Sequence, residues 1–229
     1  MSVFVIADLH LSLGSNKPMD VFHGWSDYVE RLRKNWDNLV KPEDIVVIAG
    51  DISWAMKLEE TYNDFKFINE RPGKKLFMKG NHDYWWTTKN KMENYLKTNG
   101  FDTIEIIHNS AYIHNDMGIC GTRGWMYNSV SDEDKKIILR EVQRLKVSLS
   151  AAVNEGARPI AFLHYPPVYG DFISEEIMAV LKEFNVKDCY YGHIHNSAAA
   201  KKAVIGEFDG IRMHLISCDT IGFSPVLVR

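Results

Sequence analysis

Residues 2–10 read Ser-Val-Phe-Val-Ile-Ala-Asp-Leu-His. The run from Ser2 to Ala7 is apolar almost without interruption and rich in β-branched side chains. That suits a strand buried on both faces. Asp8 and His10 follow at once. The same succession recurs along the chain. Asp44 to Ala49 leads into Gly50-Asp51, and Lys75 to Met78 leads into Gly80-Asn81-His82-Asp83. Ile160 to Leu163 ends at His164, and Asp188 to Tyr191 leads into Gly192-His193-Ile194-His195. Open α/β sheets gather ligands at the carboxyl ends of their strands. Five polar motifs at five strand ends therefore point to an α/β fold with one shared site.

The segments between these strands support the fold class. Trp25, Tyr28, Val29, Leu32, Trp36 and Leu39 lie at helical spacing, and Lys41-Pro42 ends that helix. Ile138, Val142, Leu145 and Leu149 form a second apolar face, with Ser131 and Asp134 as its capping box. Ile177, Val180, Leu181 and Phe184 form a third, after Ser174-Glu175-Glu176. Further β runs are expected at Ile104 to Ile113, Ile119 to Gly121 and Ala203 to Cys218. The last carries an Asp209-Gly210 turn and reads as a hairpin.

Bulk properties narrow the function classes. A chain of 229 residues fits one large α/β domain or two small ones, of which a single domain over 1–229 is expected, and 45% apolar with 25% charged residues is ordinary for a globular protein. The net charge of −3 makes the protein no electrostatic trap for nucleic acid, which argues only weakly against a dedicated nuclease. Cys120, Cys189 and Cys218 are an odd and scattered set, so reduced thiols in a cytoplasmic protein are expected. No uncharged apolar run is long enough to span a bilayer. A signal peptide is not expected, because its cleavage would remove Asp8 and His10.

Taken singly, each motif has a plain explanation. Asp8-Leu9-His10 places two side chains on one face of an extended segment, and a solvated pair after a strand would look the same. Gly50-Asp51 is a common turn. In Gly80-Asn81-His82-Asp83 the glycine permits a sharp bend, Asn81 offers a neutral oxygen, and His82 and Asp83 could pair. His193-Ile194-His195 again puts two imidazoles on one face. His164 alone reads as a structural histidine, held by the stiff Tyr165-Pro166-Pro167. Taken together, five of the nine histidines and both strand-terminal aspartates fall at one sheet edge. That convergence favours a metal centre.

The ordered set DLH, GD, GNHD, H and GHIH resembles the pattern of the calcineurin-like metallophosphoesterase superfamily. The likeness runs from Asp8 to His195. It implies a four-layer α-β-β-α sandwich, two mixed sheets flanked by helices, with two metal ions at the strand ends. It also implies roles. Asp8, His10 and His195 would hold one ion, Asn81, His164 and His193 the other, and Asp51 would bridge them. His82 would face the substrate and assist the leaving group, with Asp83 behind it.

The implied activity is hydrolysis of a phosphate ester by a bridging hydroxide. Two dications against two carboxylates leave a formal charge of about +2, or about +1 with hydroxide, which attracts a phosphate anion. Mixed imidazole and oxygen donors suit Mn, Fe, Zn, Co or Ni rather than Ca. A small phosphorylated substrate is expected, with no membrane partner. A nuclease or cyclic-nucleotide phosphodiesterase on the same fold is the alternative. A catalytically silent scaffold is a third reading, against which the complete donor set argues.

One departure stands out. The protein Ser/Thr phosphatase branch continues G-D-x-x-D-R-G after its second strand, whereas this chain has Gly50-Asp51-Ile52-Ser53-Trp54-Ala55. The phosphate-gripping arginine of that branch is missing here. Arg123 is a candidate substitute, with a surface turn as the alternative. Aromatic residues crowd the motifs: Trp54, Tyr84, Trp85, Trp86, Trp125, Tyr127, Tyr165 and Tyr169. Most are expected in the core. Tyr84, Trp85 and Tyr165 are nearest the ligands in sequence, and Tyr84 and Tyr165 are candidate substrate contacts.

Overall fold

The computed structural model describes residues 1–126 and 131–229. Tyr127 therefore lies outside the described residues. The chain clusters into two compact units, residues 1–106 with 216–229, and residues 107–215.

The first unit opens with β1 (Val3–Ile6), α1 (Tyr28–Leu39) and β2 (Ile45–Ala49). It continues through a 3-10 turn (Leu58–Thr61), α2 (Tyr62–Asn69), β3 (Lys74–Met78), α3 (Lys89–Thr98) and β4 (Ile104–Ile106). The second unit holds β5 (Tyr112–His114), β6 (Met117–Thr122), α4 (Asp132–Asn154) and β7 (Arg158–Leu163). The small hairpin β8 (Val168–Tyr169) and β9 (Phe172–Ile173) comes next, then α5 (Glu175–Glu183) and β10 (Asp188–Tyr191). The short α6 (Ser197–Ala200), β11 (Gly206–Phe208) and β12 (Ile211–Leu215) complete it. The chain then returns to the first unit and ends on β13 (Val226–Leu227).

Each unit is built on a mixed sheet. The first has the order β13-β1-β2-β3-β4, parallel except where β13 runs against β1. The second has the order β11-β12-β10-β7-β6-β5, with a parallel centre and antiparallel edges. Every residue of β2 is buried, which is why the run reads as continuously apolar instead of alternating. Val46, Ile48 and Phe77 share a core with Leu32 and Trp36 of α1, Phe65 of α2 and Met92 of α3. In the second unit Ala161, Leu163, Cys189 and Met213 share a core with Leu145 and Leu149 of α4 and Ile177 and Leu181 of α5. Side chains buried this fully contribute about 1.5–3 kcal/mol each. The fold is thus the expected α/β class with two mixed sheets and accompanying helices.

The capping box of α4 forms as expected, with the Ser131 hydroxyl accepting from the Asp134 amide at 3.0 Å. The hairpin turn falls at Asp209 and Gly210, both with positive φ. Two expectations are corrected. Ile104 to Ile113 is not one strand. It splits into β4 and β5, which belong to different sheets, because the Asn109 turn takes up a left-handed conformation between them. The run from Ala203 stops pairing at Leu215, and Ser217 instead bridges to Ala7 in the first sheet. Helices α2 and α3 were not anticipated. Their apolar stripes are narrow, with only Phe65 and Ile68, and Met92 and Leu96, as buried hydrophobic residues.

Candidate metal and phosphate site

In the first unit the loops after β1, β2 and β3 lace together through the backbone. The Asp8 amide donates to the Gly50 carbonyl, the His10 amide to that of Asp51, and the Leu11 amide to that of Ile52. Strand alternation does not place Asp8 and His10 on one face. The two residues are not extended, with φ of 62° and 45°. Asp51 (φ 52°) and His193 (φ 70°) are left-handed as well. Eleven non-glycine residues among the described ones have positive φ. All but three are Asp or Asn, which tolerate that region, and the two histidines among them are both expected ligands. Strain of this kind costs about 1–3 kcal/mol a residue and clusters at functional sites.

Asp51 is nearly fully buried, and its two oxygens face different groups. Oδ1 accepts the His82 backbone amide at 2.7 Å, and Oδ2 lies 3.7 Å from His10 Nε2. Gly80 makes this approach possible. A Cβ there would stand 2.1 Å from Asp51 Oδ1 and 2.2 Å from the Asp51 nitrogen, so only glycine fits.

Asp83 is fully buried and ties these loops together. Its carboxylate accepts the amides of Asp51 (3.0 Å), Ile52 (2.8 Å) and Gly80 (2.8 Å), and the Trp85 indole N–H at 3.1 Å. The sequence suggested an orienting partner behind His82. These bonds add a second role, a clamp on the backbone of two ligand loops.

His10 is held from two further sides. Its ring stacks on Trp54 at 4.8 Å, and its carbonyl accepts the Tyr28 hydroxyl at 3.0 Å. Burial pushes the Tyr28 phenol up to about 12, so it stays a donor. Trp54 also lies 4.5 Å from the His82 ring. The Cys218 thiol donates to the Asp8 carbonyl, and burial, then the charge of Asp8, holds its pKa well above the ordinary value. It is a structural thiol, not a nucleophile.

In the second unit His164 and His193 are neighbours, with ring centroids 5.2 Å apart and the Gly192 amide donating to the His164 carbonyl. Tyr165 packs on His193 at 4.3 Å and meets Trp125 at 5.3 Å. The Arg123 carbonyl accepts the amides of both His164 and Tyr165, which fixes the start of that loop. The Arg123 side chain is not a surface arginine in a turn. It lies over the Trp125 ring and 3.9 Å from the buried Glu141.

Most of the aromatic residues near the motifs were expected in the core, but Trp54, Trp86, Trp125, Tyr165 and Tyr169 are only half-buried. Trp85 is 2% exposed and packs edge-on against Phe65, so it belongs to the core, whereas Tyr84 is 53% exposed. Trp85→Ala is therefore expected to cost about 3–5 kcal/mol and to leave substrate selectivity unaltered. Denaturant unfolding, with KM for small and bulky esters measured on the same sample, checks this. Trp54 is the residue that sequence proximity undervalued. Its position three places after Asp51 was the available signal, because the Leu11–Ser53 bridge swings it over His10.

Residues 1–197 match the sequence profile of calcineurin-like phosphoesterases. The chain belongs to that family. One curated relative, the Gene 66 protein of Mycobacterium phage L5, is 35% identical over 80 residues. That match covers 34% of this chain and 37% of the phage protein, so it spans well under half of either. Among solved structures, a protein of unknown function from Aquifex aeolicus, AQ665, aligns over 99% of this chain and 95% of its own with TM-score 0.52 and 16% identity. The phosphopantetheinyl hydrolase of Mycobacterium tuberculosis aligns over 94% and 88% with TM-score 0.51 and 14% identity. At these identities the structures share the fold alone. Among the described residues no helix is long and apolar enough to cross a membrane.

Proposed function

We propose that this calcineurin-like phosphoesterase hydrolyses a small phosphorylated molecule with the help of two divalent transition ions. The observation that carries the reading is the donor set. It comprises two trios, each of one buried carboxylate and two imidazoles: Asp8 with His10 and His195, and Asp51 with His164 and His193. Asn81 is proposed to add a neutral oxygen for the ion of the second trio, and Asp51 would be shared between the two ions. The single domain over 1–229 expected from the sequence is part of the same proposal. Mixed nitrogen and oxygen donors fit Mn, Fe, Zn, Co or Ni.

Bound there, such ions supply Lewis acidity that neutralises phosphoryl oxygens and acidifies water. The chain's own groups do the rest. The left-handed turns at Asp8, His10 and Asp51 aim their side chains before any ligand arrives, which lowers the reorganisation needed at the moment of reaction. The His82 amide fixes one oxygen of Asp51 and leaves the other on the His10 side. The His82 imidazole, partly exposed and flanked by Trp54, delivers a proton to the departing oxygen. Tyr84 and Tyr165 are proposed to border the substrate. Arg123, lying beside Glu141, is proposed to reach it only through the loop that it braces. The proposed setting is the cytoplasm, where the three buried thiols stay reduced.

The purified protein is expected to hold about two transition ions per chain, or to take them up from Mn on reconstitution, and then to turn over a generic aryl phosphate. Elemental analysis after mild dialysis measures the first and a colorimetric assay the second. Persistent failure to take up metal would sink the reading.

A further inference from the structure

The loop between β1 and α1 carries a lysine that no motif brought to attention. Lys17 is exposed, and its ammonium stands 5.0 Å from the centre of the Trp54 ring and 3.9 Å from Met56 Sδ. Among the described residues it meets this ring and thioether and no carboxylate, so its charge is not spent on an ion pair.

Lys17 is placed, not loose. The Leu13 amide donates to Asp64 Oδ1 at 2.7 Å, and Asp64 is itself buried and joined to the Ser53 hydroxyl. Gly14 sits so close to the Glu60 carbonyl that a Cβ would lie 2.8 Å from it. On the other side of Lys17, Met19 is buried and its sulfur accepts the Trp54 indole N–H at 3.2 Å. Pro18 stiffens the step between them. The loop is thus pinned before and after Lys17, and a cation–π contact holds the ammonium over Trp54.

That ring is the one that stacks on His10 and borders His82. The ammonium of Lys17 therefore stands on the flank of the proposed leaving-group acid. We propose that Lys17, seated on Trp54, grips an anionic group on the leaving side of the substrate. The preferred substrate class is then a phosphoester whose leaving group carries a second negative charge, such as a carboxylate or a further phosphate. This rests on the phosphoesterase reading above and adds the residue that selects within it.

The test compares phenylphosphonate with para-carboxyphenylphosphonate, two non-hydrolysable ligands that differ by one charge. Calorimetry measures their binding to the Mn-loaded wild type, to Lys17→Met and to Lys17→Arg, with metal content checked on each sample. The wild type is expected to prefer the carboxylated ligand. Lys17→Met is expected to lose about tenfold of that preference, the scale of one charge-assisted contact, and Lys17→Arg to keep most of it. Raising the salt should erode the preference in the wild type more than in Lys17→Met. A wild type that binds neither ligand or both alike, or a Lys17→Met with the preference intact, overturns the inference. Hydrolysis of aryl phosphates on the same samples keeps the two readings apart. Turnover with an unaltered Lys17→Met preference rejects Lys17 alone, whereas a lysine-dependent preference without any turnover rejects the hydrolase and leaves the anion grip.

Discussion

Asp51→Asn is expected to abolish binding of both ions, with turnover falling further than the ~10–100-fold typical when a mere supporting partner of a metal is lost. The substitution keeps size and shape, so the effect is chemical. One oxygen of Asp51 accepts the His82 amide and the other lies on the His10 side. An asparagine has two orientations there. In one, its NH₂ faces the His82 N–H, donor against donor. In the other, its NH₂ takes the place of an oxygen donor to an ion. Neither orientation serves both neighbours, and both lose the carboxylate's whole negative charge in a buried setting where charge counts most. The local backbone should survive, because the Asp51 amide is held separately by Asp83. His10→Ala supplies the contrast. His10 belongs to one donor trio only, so one ion should weaken and the other remain. Metal titration into both variants, followed by calorimetry, reads this directly. Equal single-site losses in the two variants would contradict a shared carboxylate.

Much of the frame was legible because burial and chemistry leave marks in short segments. β1 and β2 are continuous apolar runs, and Asp188 to Tyr191 matches β10 at both ends. The α4 capping box was readable because its two residues must stand three apart. What stayed hidden depends on contacts distant in sequence. Nothing local to Ile104 to Ile113 says that its two ends join different sheets. Nothing local to Asp8-Leu9-His10 says that a left-handed turn, not strand alternation, aims the pair. The part played by Asp83 was half visible. A carboxylate beside His82 invites a catalytic pairing, but its bonds to the amides of Asp51 and Ile52 come from residues about thirty positions away. Trp54 and Lys17 are the sharpest case. A tryptophan and an exposed lysine 37 positions apart carry no shared signal until the loop folds over the ring.

His82 separates holding metal from doing chemistry, and its variants should show this. His82→Ala or His82→Asn is expected to keep both ions while turnover falls by about 10²-fold or more. The imidazole lies 4.5 Å from the Trp54 ring and 5.6 Å from that of His10, close enough to share their pocket without belonging to either donor trio. Its backbone amide, which both variants retain, is the part that serves Asp51. The loss should follow the leaving group. An alkoxide needs a proton as the bond breaks and a nitrophenolate scarcely does, so alkyl phosphates should suffer more than nitrophenyl phosphate. Asp83→Asn should behave differently. Oδ2 accepts the amides of Asp51 and Gly80 and Oδ1 the Ile52 amide and the Trp85 indole, so an NH₂ in either place would confront two donors, and stability and activity should fall together on every ester. The measurement is kcat for each variant across leaving groups of different pKa, with metal content and unfolding followed on the same preparations. If His82→Ala loses its metal, His82 is a ligand. If it keeps both ions and full activity on alkyl esters, the proton comes from elsewhere. A leaving-group dependence in Asp83→Asn as steep as that in His82→Ala would return Asp83 to the orienting role that its place in the motif first suggested.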